Sequence, residues 1–225
     1  MQNWIGIILS FVFVFGILGI AQLLAALRVF SPPVTRKFVH IGVSHWWIIV
    51  VPFFDSIAFA VVGPVVFILL NALSLKRQLF SAMEMPQEPG KPFNLGTVFF
   101  PVSLLVLVFI TFLTDMPRWI GGMSILILGW GDGMAAIAGM VAGTRRYTVF
   151  GQRKSVLGSL AMFLFALIVL LIYSYIHLPV STGYIWLAAA TTALMATAVE
   201  GLTPLGLDNL TVPILVALFY YGVFL

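Results

Sequence analysis

The chain has 225 residues, of which 62% are apolar and 8% charged, with a mean hydropathy of +1.15 and a formal net charge of +4. Eleven basic and seven acidic side chains cannot hydrate the surface of a soluble domain, where about a quarter of residues are charged. A globular cytoplasmic enzyme, a disulfide-stapled secreted domain, a disordered chain and a nucleic-acid binder are thereby excluded, and the expected fold class is all-α: a polytopic membrane helix bundle forming one domain over residues 1–225.

A bilayer core about 30 Å thick takes about 20 helical residues. Apolar runs of that order, bounded by charge, Pro or Gly, predict spans at Trp4–Val29, Phe38–Val51, Ser56–Leu75, Gly96–Leu113, Trp119–Val141, Val156–Ile176, Gly183–Val199 and Leu210–Phe224. The first is too long for a cleaved signal peptide and lacks a basic leader, so it reads as a retained helix. The second, ending before Pro52, is short enough to be re-entrant. The runs lack the alternation of a spanning β-barrel. With the N-terminus outside, the inner loops hold Arg28, Arg36, Lys37, Lys76, Arg77, Lys91, Arg145, Arg146, Arg153 and Lys154, and the outer loops only Arg118. That bias is the positive-inside pattern, and it predicts eight spans with both termini outside. The pI near 9.6 follows from these basic loops. Residues Lys76 to Leu95 form the longest inner loop, and no internal repeat is visible.

Polar groups inside apolar spans are expensive and need a partner or a task. Asp132, in Gly129-Trp-Gly-Asp-Gly133, is the one carboxylate placed inside a predicted span. A buried acid paired with a basic neighbour would account for it. Glycines and alanines at close spacing also mark helix–helix packing. Alternatively, Gly131 and Gly133 let the helix kink and a ligand approach, with the acid holding a hard cation such as Mg²⁺.

Arg153-Lys154-Ser155 leads into Gly158-Ser159 at the start of the sixth span. Free N–H groups and the helix dipole there favour an anion, while Arg145, Arg146 and Arg153 are also explained by interfacial anchoring. In the first inner loop, Arg36 or Lys37 and His40 fall one helical turn apart on a shared face. His45, beside Trp46 and Trp47, is expected to bond to a neighbouring helix, and His177 to have no role. In the last inner loop Glu200, Asp208 and Asn209 run against the positive bias. Asp208 reads as a helix N-cap or, with Glu200 and Asp132, as part of a cation site. Topology brings Arg36, Lys37, His40, Asn94, Asp132, Lys154, Ser155, Ser159, Glu200, Asp208 and Asn209 to the cytoplasmic face. Acids for Mg²⁺ and cations for phosphates suit phosphoryl or nucleotidyl transfer. Neither a Walker-type motif nor a dinucleotide fingerprint is present.

The ordered set Arg36-Lys-Phe-Val-His40, Gly96-Thr-Val-Phe-Phe-Pro101, Gly131-Asp-Gly-Met-Ala135 with Gly139 and Gly143, Lys154-Ser-Val-Leu-Gly-Ser159, Glu200 and Asp208-Asn-Leu-Thr-Val-Pro213 resembles the membrane-embedded, CTP-dependent lipid-alcohol kinases, which include phytol kinase, dolichol kinase and a CTP-using diacylglycerol kinase. The resemblance implies transfer of the γ-phosphate of CTP to the hydroxyl of a membrane lipid alcohol (phytol, geranylgeraniol, polyprenol or dolichol, or diacylglycerol) with Mg²⁺. Ala136 and Met140 stand where phytol kinases often carry an acid and a basic residue. On this reading Asp132 holds the metal, with Glu200 or Asp208 as a further ligand or the base. Lys154, Ser155, Gly158 and Ser159, together with Arg153 and Asn94, bind the nucleotide, and Arg36, Lys37 and His40 neutralise charge on the transferred group. The expected partners are the lipid alcohol, CTP and the bilayer, with no nucleic acid, and a homo-oligomer is compatible with such a bundle. A CTP-dependent phosphatidate-type cytidylyltransferase is the alternative enzyme and a small membrane transporter the alternative outside enzymes.

Overall fold

The structure, a computed structural model, describes residues 1–77, 95–150, 152–179 and 181–225. Its helices in chain order are α1 (Gln2–Ala26), α2 (Pro32–Ser44), α3 (Trp47–Phe53), α4 (Ile57–Ala60), α5 (Val62–Arg77), α6 (Gly96–Leu113), α7 (Arg118–Leu126), a π-helical segment (Ile127–Asp132), α8 (Gly133–Ala142), α9 (Val156–His177), α10 (Thr182–Leu202) and α11 (Asp208–Phe224). The all-α membrane bundle expected from composition is the fold observed. Six described helical stretches are long and apolar enough to cross a bilayer: Gln2–Ala26, Ile57–Ser74, Gly96–Leu113, Arg118–Ala142, Val156–His177 and Thr182–Leu202. Asp208–Phe224 is apolar but shorter.

The second predicted segment is not one helix. It divides at His45-Trp46 into α2 and α3. Two bulky indoles there bond to different neighbours: Trp46 Nε1 donates to Ser10 Oγ at 2.8 Å and Trp47 Nε1 to the Arg118 carbonyl at 2.7 Å. The structure also contains a two-stranded antiparallel hairpin, β1 (Arg146–Val149) and β2 (Gln152–Ser155), within the third basic inner loop, and the sixth predicted span begins as expected at Val156. Its signal in the sequence was limited to Tyr147-Thr148-Val149 and the two-residue spacing of a hairpin between Val149 and Gln152.

Contacts between helix ends set the two poles of the bundle. At one pole Arg118 donates to the Phe54 carbonyl at 2.6 Å, Trp119 stacks on His177 with ring centroids 4.7 Å apart, and Tyr184 donates to the Phe224 carbonyl at 3.1 Å. At the other pole lie the start of α2, the end of the π segment, the start of α9, the end of α10 and the start of α11. The buried core between them includes Trp47, Leu107, Ile120, Ile125, Leu128, Met162, Leu170 and Tyr220. Many apolar residues remain outward-facing, among them Val12, Leu69, Ile172 and Leu194, as expected where lipid replaces water as solvent.

The π segment is the structural centre of the second pole. A π turn is wider than an α turn, is rare, and frequently occurs at functional sites. Here α2 and α9 press against it where a side chain would not fit. A Cβ on Gly129 would overlap Ser44 Oγ and Cβ, one on Gly131 would overlap Met162 Sδ, and one on Gly133 would fall 2.5 Å from Ile41 Cγ1. Gly131 and Gly133 therefore act as close-packing residues, and the space beside them is filled by neighbouring helices. Gly129→Ala is expected to cost about 1–3 kcal/mol of stability through overpacking. Adding Ser44→Gly, which removes the overlapped atoms, should leave the double variant less destabilised than the sum of the two single changes. Thermal unfolding of the four proteins in detergent measures this coupling.

Candidate active site

Each polar group of the second pole is delivered by a separate element. Asp132 ends the π segment and is 6% exposed. Its Oδ2 accepts a hydrogen bond from Lys37 Nζ of α2 at 2.6 Å, and His40 Nε2, one turn further along α2, lies 3.2 Å from the same oxygen. His40 Nε2 is buried without a hydrogen-bond partner among the described residues, and its ring meets Phe100 edge-on at 4.8 Å. The one-turn spacing of Lys37 and His40 thus serves one carboxylate.

Glu200 was expected in a loop. Instead α10 continues to Leu202, and Glu200 is a helical residue, also 6% exposed. A carboxylate survives at that depth because Lys154, at the end of the hairpin, reaches it. Lys154 Nζ donates to Glu200 Oε1 at 2.5 Å and to the Glu200 backbone carbonyl. Asp208 is the first residue of α11, after the cap position at Leu207. Its Oδ1 accepts from the Asn209 side-chain amide at 3.1 Å, and that amide also donates to the Gly206 carbonyl at 3.0 Å.

One carboxylate oxygen from each of Asp132, Glu200 and Asp208 lies within 4.8 Å of the others. Three acids so close repel one another unless counter-charge is present. Lys37 and Lys154 compensate two of them, and Asp208 makes no ion pair among the described residues. The acids face a chamber of about 360 Å³ walled by Ala135, Ala136, Gly139, Met140, Gly158 and Ser159 and flanked by Arg146, Arg153, Lys154 and Ser155. Ala136 and Met140 make part of its apolar wall.

The start of α9 differs from a bare anion-binding terminus. Ser155 caps the helix, its Oγ accepting from Gly158 N–H at 2.9 Å, and Val156 N–H donates to the Arg145 carbonyl at 3.0 Å. Two first-turn donors are therefore already used. Ser159 Oγ is hydrogen-bonded to Tyr147 OH at 2.6 Å, tying the hairpin to α9. Gly158 is needed because a Cβ there would lie 2.8 Å from the Ala135 carbonyl oxygen. The cationic side chains Arg146, Arg153 and Lys154, more than the helix end, face the chamber. Arg146 was assigned only to anchoring from sequence; the hairpin, which pairs Arg146 with Ser155, brings it to the chamber.

Among the expected site residues, Asp132, Lys37, His40, Lys154, Ser155, Gly158, Ser159, Glu200 and Asp208 converge on this pole. Arg36 and Asn209 line an adjacent apolar cleft together with His40. Asn94 falls outside the described residues. His45 does bond to a neighbouring helix, its Nε2 accepting from Trp130 Nε1 at 3.2 Å.

A curated phytol kinase from Synechocystis sp. is 31% identical over 219 residues, covering 94% of this chain and 88% of the relative. The chain belongs to the phytol kinase family. Phytol kinase 1, chloroplastic, from Arabidopsis thaliana is 28% identical to it over 212 residues, which is 86% of this chain and 67% of that protein. No family model and no solved structure matches the chain. Family membership makes this a lipid-alcohol kinase embedded among membrane helices, and the convergent acids and lysines lie at one pole of this kinase's bundle.

Proposed function

We propose that this kinase transfers the γ-phosphate of CTP to the hydroxyl of a membrane isoprenoid alcohol, with the chemistry at the pole that faces the cytoplasm. The observation that carries the reading is the set of three carboxylates within 4.8 Å of one another, compensated by two lysines. The excess negative charge and all-oxygen donors suit a divalent cation such as Mg²⁺, which favours carboxylates together with substrate phosphates. Bound by Asp132 and Glu200, such a cation would supply charge neutralisation to the nucleotide phosphates.

The side chains then divide the work. Arg146, Arg153 and Lys154 hold the phosphate tail in the chamber. Lys37 neutralises charge that spreads over the transferred group, because its ammonium already sits at Asp132. Asp208, the acid without an ion pair, takes the alcohol proton as the oxygen attacks the γ-phosphorus. The bond to the bridging oxygen breaks and CDP leaves. The basic residues of the first, second and third inner loops, on the positive-inside rule, support the cytoplasmic placement.

The test incubates purified protein with Mg²⁺ and γ-labelled CTP or ATP against phytol, geranylgeraniol, polyprenol, diacylglycerol and phosphatidic acid. Label is expected on an isoprenoid alcohol, with CTP the better donor. Label found in pyrophosphate with phosphatidic acid as acceptor would overturn the kinase reading in favour of a cytidylyltransferase. Removing divalent metal with EDTA is expected to lower the transfer rate at least about 10²-fold, with recovery on adding Mg²⁺ in excess.

A further inference from the structure

Beside the chamber, on the other side of His40, lies a second cavity of different character. It is a narrow cleft of about 70 Å³ walled by α1, α2, α5 and α6. Its far end is apolar, formed by Val14, Trp46, Gly63, Phe67 and Leu104; its near end carries Arg36, His40, Asn71 and Asn209. The wall from Gly63 to Asn71 spans eight residues of α5, or about 12 Å at the rise of an α-helix. The polar groups at the near end are not all committed to packing. Asn71 donates to the Thr97 carbonyl at 2.7 Å, whereas His40 Nε2 is buried, has no hydrogen-bond partner among the described residues, and sits 3.2 Å from Asp132 Oδ2.

His40 therefore lines the cleft and lies against Asp132, which lines the chamber. Asn209 lines the cleft while Asp208, its neighbour at the start of α11, lines the chamber. An apolar slot ending on a few convergent polar groups is the general form of a site for an amphipathic small molecule. We infer that this cleft holds the hydrocarbon chain of the acceptor alcohol, laid along the bundle axis with its hydroxyl passing between His40 and Asn209 into the chamber. The inference rests on the proposed kinase function and adds where the chain lies. The cleft is apolar along most of its lining and polar only at its near end, as a hydrocarbon chain carrying one hydroxyl requires. His40 Nε2 meets the hydroxyl, which supplies the partner that nitrogen lacks.

Two measurements test this on the full chain in lipid nanodiscs. In the first, a twenty-carbon isoprenoid alcohol carrying a diazirine at the end remote from the hydroxyl is photolysed on the wild-type protein, and adducts are mapped by mass spectrometry. Labelling is expected at Val14, Trp46, Phe67 or Leu104, displaced by excess unlabelled alcohol. Adducts confined to the outward-facing Val12 or Leu69, or to the chamber, would overturn the inference. In the second, Leu104→Trp and the milder Gly63→Val fill the far end of the cleft. A Cβ at Gly63 meets only ordinary contact, 3.5 Å from Trp46, and the thermal midpoint of each variant checks that it is folded. The ratio of kcat/KM for twenty-carbon over ten-carbon alcohols is expected to fall at least tenfold in both. An unchanged ratio in folded variants, with wild-type transfer intact, would sink the cleft assignment and leave the kinase reading standing. Displaceable labelling in the cleft by a wild-type protein that phosphorylates no alcohol would do the reverse.

Discussion

Asp132→Asn is expected to lower kcat for phosphate transfer about 10³-fold, the scale seen when a preorganised charge partner of the transferred group is removed. The change is nearly isosteric, and the new amide oxygen still accepts from Lys37 Nζ, which now lies at 2.6 Å from Oδ2. What disappears is a full negative charge at the junction of α2, the π segment and the three-acid cluster. Without it the cluster has a weaker hold on a cation, and the Lys37 ammonium is left in a poorly solvated place with no counter-ion. Steady-state rates at saturating nucleotide and alcohol measure the effect, with size-exclusion profile and thermal midpoint as checks of folding. A variant that is folded and within threefold of the wild-type rate would remove Asp132 from the chemistry.

The second large effect is expected at the Lys154–Glu200 pair, where activity and stability should separate. Lys154→Met removes a cation facing the chamber and strands the Glu200 carboxylate, which is 6% exposed. Leaving one partner of a buried pair uncompensated costs about 3–5 kcal/mol, so the thermal midpoint should drop sharply. The kcat/KM for nucleotide should fall about 10²-fold, the loss typical of a charged contact to phosphate. Adding Glu200→Gln neutralises the stranded acid. The double variant Lys154→Met/Glu200→Gln is expected to recover most of the stability and none of the activity. Recovery of both would mean that the pair only holds α10 against the hairpin. Loss of both in the single variant, without stability rescue in the double, would mean that the stranded Glu200 charge is not the cause of the destabilisation.

The residues of the site were largely legible before the fold. Lys37, His40, Asp132, Lys154, Glu200 and Asp208 stand out because ionisable groups in or beside apolar spans are costly, and the charge asymmetry of the loops gathers them at one end. What they do to one another was not legible. The sequence offered Glu200 as a loop acid. Only the continuation of α10 to Leu202, with Lys154 arriving from the hairpin, turns it into a buried, paired one. The start of α9 read as a free anion site, yet the Ser155 cap and the Arg145 carbonyl use two of its donors. Local spacing cannot reveal such competition between neighbouring segments. The glycines around Asp132 admitted two readings as well, and the choice depended on Ser44, Met162 and Ile41, which are remote in sequence.

By itself the sequence determined the solvent and the helical class, because eighteen charges among 225 residues leave backbone polar groups no partners in lipid except those within helices. It also determined which side chains were too expensive to be idle. Only the tertiary structure decided that three acids from three helices come within 4.8 Å of one another, that the second predicted segment breaks at two tryptophans into α2 and α3, and that His40 lines an apolar cleft while lying 3.2 Å from Asp132 of the polar chamber. The physical reason is that hydropathy is a property of each segment taken alone. Distances among groups on different helices depend on packing, and here that packing is set by where glycines let α2 and α9 close onto the π turn.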